Sequence, residues 1–476
     1  MNSYQQEDAS LETRTARITP QQLHAQDEYC TKIRSYWAQQ GIVPLAYVET
    51  YGCQQNEADS EQLRGLLEHC GYEICGEAEG ADVVIFNTCA IREHAEQRVF
   101  GNLGALTHTK RRHPRQKIMV CGCMAGQSHV AERVKKSYPH VDICFNPHHL
   151  WQMPEYLYTV LTQKKRIFAT QEVPGVICEG LPQRRENKIK AWVSIMYGCN
   201  NFCTYCIVPY VRGRERSREP EAVIEECRAL IAQGYKDITL LGQNVNSYGK
   251  DLETPMDFAD LLQAIAQLPG EFTLRFMTSH PKDASFKLFD TMAANPKIAH
   301  QFHLPVQSGS SRVLQAMNRR YTREQYLKLI AYGREKMPDI VFTSDIIVGF
   351  PGETQEEFEE TLSLCEEVRY DALFTFIFSP RKGTPAAEME DVTTREEKNR
   401  RFDRLLELQN RISEEKHRAY IGKTLRVLAD GQEGELLTGR TDGGRLVRFP
   451  GTQEELGRFL SVTITGCTTW SLTGER

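Results

Sequence analysis

Gly198-Cys199-Asn200-Asn201-Phe202-Cys203-Thr204-Tyr205-Cys206 places three thiols within eight residues, directly after the apolar run 191–196. Thiolates are soft ligands, and three in one tight loop suit an iron–sulfur cluster or zinc. Three protein ligands leave one metal corner open for a substrate or cofactor. Cysteine makes up 15 of the 476 residues, so this spacing arises by chance roughly 0.015 times in a chain of such composition. The plain alternative is a zinc site completed by a distant fourth ligand.

Outward from this loop the chain repeats a strand-then-helix unit. Strands are predicted over 191–196, 237–241, 273–277, 301–305, 341–348 and 373–378. Helices are predicted over 220–233, 258–268, 311–316, 322–336 and 354–368. Units of this length predict a parallel (β/α)6 partial barrel, in which ligands gather at the C-terminal ends of the strands. The cysteine loop follows the first strand. Other polar loops follow later ones, among them Gly242-Gln243-Asn244, Thr278-Ser279-His280 and Val306 to Ser310. One His or Ser after a strand is ordinarily a cap. Six polar loops on one rim make a large site.

Upstream, strands over 45–50, 82–87, 117–121 and 141–145 alternate with helices over 58–70 and 91–106, which predicts a parallel α/β domain. Cys53, Cys89 and Cys123 each fall just past a strand, at the ligand-binding edge of an open α/β sheet. The alternative is three unrelated buried thiols, since cysteine is often a small core residue. Cys30, Cys70, Cys75, Cys121 and Cys144 lack the placement and read as ordinary thiols. The expected layout is an N-terminal extension over 1–43 with a helix near 22–39, the α/β domain over 44–162, and a charged linker over 165–190. The barrel follows over 185–417 and ends in a long charged helix.

From 420 to 476 short strands over 424–428, 435–439, 445–449 and 459–465 predict a small antiparallel β-barrel of a kind that can bind nucleic acid. Arg440, Arg445, Arg448 and Phe449 could hold a phosphate backbone and a base. Arg212-Gly213-Arg214-Glu215-Arg216-Ser217-Arg218 offers a second phosphate contact. For both, a solvated, salt-bridged surface is the competing reading.

Composition sets the outer limits. With 40% hydrophobic and 25% charged residues, the chain has the make-up of a globular protein of two to four domains. No apolar run approaches the ~20 residues that span a bilayer. Residues 1–19 are polar and carry no signal-peptide core. The cysteines then read as metal ligands or free thiols in a reducing cytoplasm. A net charge of −5 excludes a uniformly basic nucleic-acid binder and leaves only local patches.

Cys199-x-x-x-Cys203-x-Tyr205-Cys206 resembles the radical S-adenosylmethionine signature. With Cys53, Cys89 and Cys123 upstream and the small β domain downstream, the chain from about residue 44 resembles the methylthiotransferases that carry a TRAM domain. Asn87 to His94, Ser194 to Cys199, Leu240 to Asn246, Thr278 to Pro281 and His303 to Gly309 point to a tRNA-modifying branch. The resemblance implies two 4Fe-4S clusters, one on Cys199, Cys203 and Cys206 and one on Cys53, Cys89 and Cys123. The first would bind S-adenosylmethionine, with Gly242, Gln243, Ser344 and Asp345 as further cofactor contacts. The second would carry sulfur, which one S-adenosylmethionine methylates in a polar step. Another would yield the 5′-deoxyadenosyl radical, which takes hydrogen from C2 of N6-dimethylallyladenosine next to the anticodon, so that the methylthio group adds there. No catalytic side chain beyond the six ligands is implied. Partners would be a tRNA anticodon stem-loop and an electron donor such as a flavodoxin or ferredoxin; a cytoplasmic monomer off the membrane is expected, and the sulfur source stays open. Rivals are a methylthiotransferase acting on a ribosomal-protein aspartate or another tRNA adenosine, and a non-catalytic cluster-bearing RNA-binding or redox-sensing protein.

Overall fold

The computed structural model describes residues 16–90, 93–171 and 175–476. They divide into two compact units. One holds the described residues up to Glu186 with Tyr197–Asn200 and Ile207–Arg216; the other holds Asn187–Met196, Asn201–Cys206 and Ser217–Arg476. Both are α/β, as the alternating pattern predicts.

The first unit is built on a six-stranded parallel sheet. Its order is Glu73–Ile74, Leu45–Tyr51, Val83–Thr88, Lys117–Gly122, Ile143–Phe145, Ile167–Ala169. Every residue of Val83–Thr88 is buried, as expected of a central strand covered on both faces. Two expectations need correction. The supposed linker supplies the sixth strand, Ile167–Ala169, and Val176–Ile177 pairs with Ala16–Arg17; residues 172–174 lie outside the described residues. The supposed extension is also part of the fold. Its Pro20–Ala38 helix starts from a capping box between Thr19 and Gln22 and buries Gln26, Cys30, Ile33 and Trp37. These fall at i, i+4, i+7 and i+11, one helical stripe. Trp37 packs in the core with Leu63, Leu67 and Tyr72 and donates from Nε1 to the Tyr72 hydroxyl at 2.9 Å. Cys30 faces Cys70 with the sulfurs 3.0 Å apart. Residues 1–15 and the expected helix start at 91–92 lie outside the described residues; that helix is described over Glu93–Arg112.

In the second unit six parallel strands form two hydrogen-bonded trios. Lys190–Ser194, Asp237–Leu241 and Thr273–Phe276 make one; Gln301–His303, Val341–Val348 and Ala372–Ile377 make the other. A Leu274–Ile298 bridge links them, giving the expected partial barrel. Along Val341–Val348, Phe342, Ser344, Ile346 and Val348 are buried while Thr343, Asp345 and Ile347 are partly open. The sequence reading missed the Phe286–Ala294 helix, which Ser285 caps.

The C-terminal strands Thr424–Glu433, Leu436–Thr441, Leu446–Pro450, Phe459–Cys467 and Leu472–Glu475 close into a barrel. The fifth strand was not foreseen, and it pairs parallel to Leu446–Pro450, so the barrel is mixed and not wholly antiparallel. Two proposed RNA contacts are inside. Period-2 alternation along Leu446–Pro450 sends Val447 and Phe449 into the barrel core, both fully buried. Arg445 is buried against Asp371 and over the Tyr420 ring. Arg275 donates to the carbonyls of Thr441 and Asp442, at 2.9 and 2.7 Å, and so ties this turn to the (β/α)6 strands. Among the described residues no helix is long and apolar enough to cross a membrane.

Trp37→Ala is expected to lower the unfolding free energy of the first unit by about 3–5 kcal/mol, measured by urea denaturation. A loss below about 0.5 kcal/mol, the size of an ordinary surface change, would make the helix an appendage.

Candidate metal centres

Three strand-end loops of the first unit are held together by side-chain amides. Leu45–Tyr51 ends in Gly52-Cys53, and Cys53 caps the Gln54–His69 helix with its sulfur 3.3 Å from Asn56 Oδ1. Asn56 Nδ2 donates to Asn87 Oδ1 at 3.1 Å and to the Thr88 carbonyl at 3.3 Å. Asn87 Nδ2 donates back to the Asn56 carbonyl and to Ser60 Oγ, at 2.8 and 2.9 Å. Thr88 Oγ1 donates to the Cys121 carbonyl at 2.6 Å. Gly122 completes the lock: its φ is +91°, and a Cβ there would lie 2.4 Å from Asn87 Oδ1 and the Thr88 carbonyl. Only glycine permits this approach.

The lock gathers Cys53, Cys89 and Cys123. Cys89 and Cys123 are buried and Cys53 is half-buried. The hydrogen bond with Cys89 and, behind it, the charge of Arg212 bring the Cys53 thiol down to about 6 against the pull of burial. Burial pushes Cys123 up, with Arg212 opposing. By contrast the bystander Cys144 is driven up to about 12 by burial. Sequence reasoning missed the key neighbour. Arg212, 4% exposed, donates from Nε to Cys123 Sγ at 3.0 Å and from Nη2 to Asp59 Oδ2 at 2.6 Å. Arg212 and Asp59 also line an open pocket with His148, Trp151, Cys178 and Tyr197. Burial, then the charges of Arg216 and Arg212, hold His148 down to about 3, so it is neutral.

The second cysteine group is held by different elements. Gly198 has φ +79° and sits where a Cβ would strike the Arg214 carbonyl at 2.0 Å; the next residue, Cys199, donates its N–H to the Gly213 carbonyl at 3.1 Å. In the other unit Asn318 Nδ2 donates to the carbonyls of Asn201 and Phe202, at 3.1 and 2.9 Å. Thr204 N–H donates to the Met317 carbonyl, and Cys206 N–H to the Cys203 carbonyl. Arg319, 4% exposed, lies 3.4 Å from both Cys203 Sγ and the Tyr205 hydroxyl and donates to Tyr321 and the Pro305 carbonyl. Each thiol group thus has one buried guanidinium on one sulfur. No spacing signals this, because both arginines lie far in sequence from the cysteines they touch or inside a charged run.

Soft donors, burial and the Arg212 counter-charge at Cys53, Cys89 and Cys123 fit an iron–sulfur cluster. Among the described residues no three His, Cys, Asp or Glu side chains close on a single metal-ion position. The remaining candidates divide. Gly242 is buried, and a Cβ there would lie 2.6 Å from Met196 Cγ; Gln243 beside it is partly exposed. Asp345 is partly open and lies 3.5 Å from His303 Nε2. Ser344 is fully buried, and its hydroxyl donates to the Leu304 carbonyl and accepts the Val306 N–H, so it ties strands. The phosphate reading of 212–218 also falls. Arg212, Arg216 and Arg218 are buried, and Arg218 is spent on Glu226 and the Ser194 carbonyl; only Arg214 of the four is exposed.

Removing one partner of a buried ion pair strands the other. Arg212→Met is expected to destabilise the iron-free first unit by about 3–5 kcal/mol, and Asp59→Leu added to it to recover most of that loss. Urea denaturation of the single and double variants measures the coupling; strictly additive losses would show the pair to be unimportant.

The family model described as the Radical SAM superfamily matches residues 193–365, the TRAM domain model matches 418–475, and the model described as Uncharacterized protein family UPF0004 matches 45–146. The chain is 51% identical over 432 residues to a tRNA-2-methylthio-N(6)-dimethylallyladenosine synthase of Clostridium botulinum strain Loch Maree, covering 90% of this chain and 96% of that one. It is 46% identical over 465 residues to the like-named protein of Acetivibrio thermocellus, covering 96% and 97%. Its fold is similar to that of the radical S-adenosylmethionine methyltransferase TsrM from Kitasatospora setae, with a TM-score of 0.55 at 15% identity over 72% of this chain and 75% of that one. With two thiol groups, a partial barrel, a closing β-barrel and relatives matched nearly end to end, the chain belongs to the radical S-adenosylmethionine methylthiotransferase family.

Proposed function

We propose that the protein methylthiolates C2 of N6-dimethylallyladenosine beside the anticodon of tRNA. The observation that carries this reading is the second thiol group. Generating a radical needs only the Cys199, Cys203 and Cys206 loop. A separate gathering of Cys53, Cys89 and Cys123, locked by Asn56 and Asn87, calls for a further task, and holding transferable sulfur is one that thiolate-bound iron performs. The curated relatives, named as tRNA-modifying synthases, support a tRNA adenosine over a ribosomal-protein aspartate.

In this reading Cys199, Cys203 and Cys206 hold one 4Fe-4S cluster and Cys53, Cys89 and Cys123 hold another. Bound there, the clusters and S-adenosylmethionine supply the electron, the hydrogen-abstracting radical and the sulfur. The chain's own residues do the rest. Arg212 and Arg319 place positive charge against the sulfurs in a low-dielectric setting, where it counts for most. Burial of four of the six cysteines to within about a tenth of full exposure, and partial burial of Cys53 and Cys206, limits water. Gly242, Gln243 and Asp345 are the cofactor contacts at the strand ends. The target adenosine lies in a single-stranded loop, where its base can be splayed out for recognition. On the C-terminal barrel Arg440 is exposed and Arg448 is partly so, beside Glu433; these two remain as contacts to the stem-loop. A flavodoxin or ferredoxin is the proposed electron donor, and the protein is proposed to act as a monomer.

Two measurements test this. In a strain lacking the protein, mass spectrometry of tRNA nucleosides should show dimethylallyladenosine without its methylthio form; persistence of that form overturns the substrate. In anaerobically reconstituted protein, replacing Cys199, Cys203 and Cys206 by Ala should leave roughly half the iron and abolish cleavage of S-adenosylmethionine. The matching change at Cys53, Cys89 and Cys123 should keep cleavage and lose the methylthiolated product. Product from that second variant would remove the sulfur-holding role.

A further inference from the structure

Two neighbouring loops at the C-terminal ends of Asp237–Leu241 and Thr273–Phe276 contain a group of buried polar atoms that the protein does not satisfy. Val245 N–H donates to the Thr278 carbonyl at 3.0 Å and joins the loops. Asn244, Asn246, Ser279 and His280 are each less than a tenth exposed. Asn244 Oδ1, both amide atoms of Asn246, Ser279 Oγ and His280 Nε2 have no hydrogen-bond partner among the described residues. The other ends of two of these side chains are engaged. Asn244 Nδ2 donates to Asp283 Oδ2 at 2.7 Å, and His280 Nδ1 accepts the Lys282 N–H at 3.1 Å. The neutral His280 ring therefore carries its proton on Nε2, and burial together with the charge of Arg319 keeps it neutral.

Each orphaned group is destabilising, so five in adjoining loops mark a place where a partner is missing. The atoms on offer are an amide that both donates and accepts, a hydroxyl, an amide carbonyl and a neutral N–H. None is charged. That set suits a flat, neutral ligand edge with donors and acceptors side by side, which is the edge adenine presents to an asparagine amide. Asn246 also lines an open cleft with Asp257, Phe258, Asp283 and Leu288, where the Asp283 carboxylate is held by Lys250 and Lys282. A chain of contacts runs from this group to the cysteine loop: the His280 ring meets Tyr321 edge-on at 5.6 Å, Arg319 donates to the Tyr321 hydroxyl, and Arg319 reaches Cys203.

We propose that Asn246, Ser279 and His280, with Asn244 Oδ1, form a neutral adenine-reading site at the barrel rim. Two adenines are available in the proposed reaction, that of S-adenosylmethionine and that of the target nucleoside, and the second source rests on the proposed function.

The test is equilibrium binding to the full, cluster-reconstituted chain with two probes, S-adenosylmethionine and an anticodon stem-loop carrying dimethylallyladenosine. Asn246→Leu and Ser279→Ala are expected to weaken one probe by about tenfold or more, while the melting temperature stays level or rises because an unsatisfied group has gone. Loss confined to S-adenosylmethionine assigns the site to the cofactor, and loss confined to the stem-loop assigns it to the target base. The same variants should not weaken 6-oxo counterparts of the affected probe (S-inosylmethionine, or a stem-loop with inosine at the target). Affinities for both probes within twofold of wild type overturn the proposal, as does an equal loss with the 6-oxo probes. Should Asn246→Leu fail to fold, Ser279→Ala decides alone. Wild-type protein that ignores the stem-loop sinks the tRNA reading, while its S-adenosylmethionine arm still tests the site.

Discussion

The amide pair Asn56–Asn87 is the constraint on which the first unit's chemistry depends. Parallel strands end in loops that would each follow their own course. Here the two fully buried amides donate reciprocally, Asn56 to the Asn87 side chain and Asn87 to the Asn56 main-chain carbonyl, and, backed by Thr88 on the Cys121 carbonyl, they fix three loops to one another. Cysteine side chains are short. They can meet only if the backbone that bears them is held within narrow limits, and buried amides with every polar atom engaged supply that rigidity. Gly122 is part of the same device, since any side chain there would push the loops apart.

Charge is the second device. A group of thiolates in a buried site repels itself, and the fold answers with one guanidinium per group. Arg212 is the costlier of the two, because it must also be balanced by Asp59 in the interior. The bond to Cys123 and the bond to Asp59 use different nitrogens of one rigid fork, so the arginine sets the direction of the sulfur as well as its charge. Arg319 does similar work differently. It is anchored on the Tyr321 hydroxyl and the Pro305 carbonyl, and its contact with the sulfur is longer.

The corrections share a cause. Residues 212–218 read as a basic patch and are mostly interior; Arg445 and Phe449 read as an RNA surface and are interior too. A linear pattern shows how much charge a segment has but not what faces it. Asp371 and Tyr420 against Arg445, and Glu226 against Arg218, come from other elements, and only their approach makes burial affordable. The Pro20–Ala38 helix was underrated for the opposite reason. Its apolar stripe is thin and contains Gln26, so its mean pattern looks polar, yet Ile33 and Trp37 meet a core that the later chain provides.

What the sequence determined by itself is the element order and the candidate ligands. Strand and helix periodicity is local, so the six barrel strands, most helices and the C-terminal barrel were legible. The cysteines were legible because their spacing and their place after strands are one-dimensional signals. The tertiary structure decided everything that requires two distant segments to meet: the sixth strand, the parallel closure of the β-barrel by Leu472–Glu475, the interstrand tie made by Ser344, and the arginines on Cys123 and Cys203. Hydrogen bonds and ion pairs fall off within a few ångströms, and a chain does not announce in its order which of its parts will come that close.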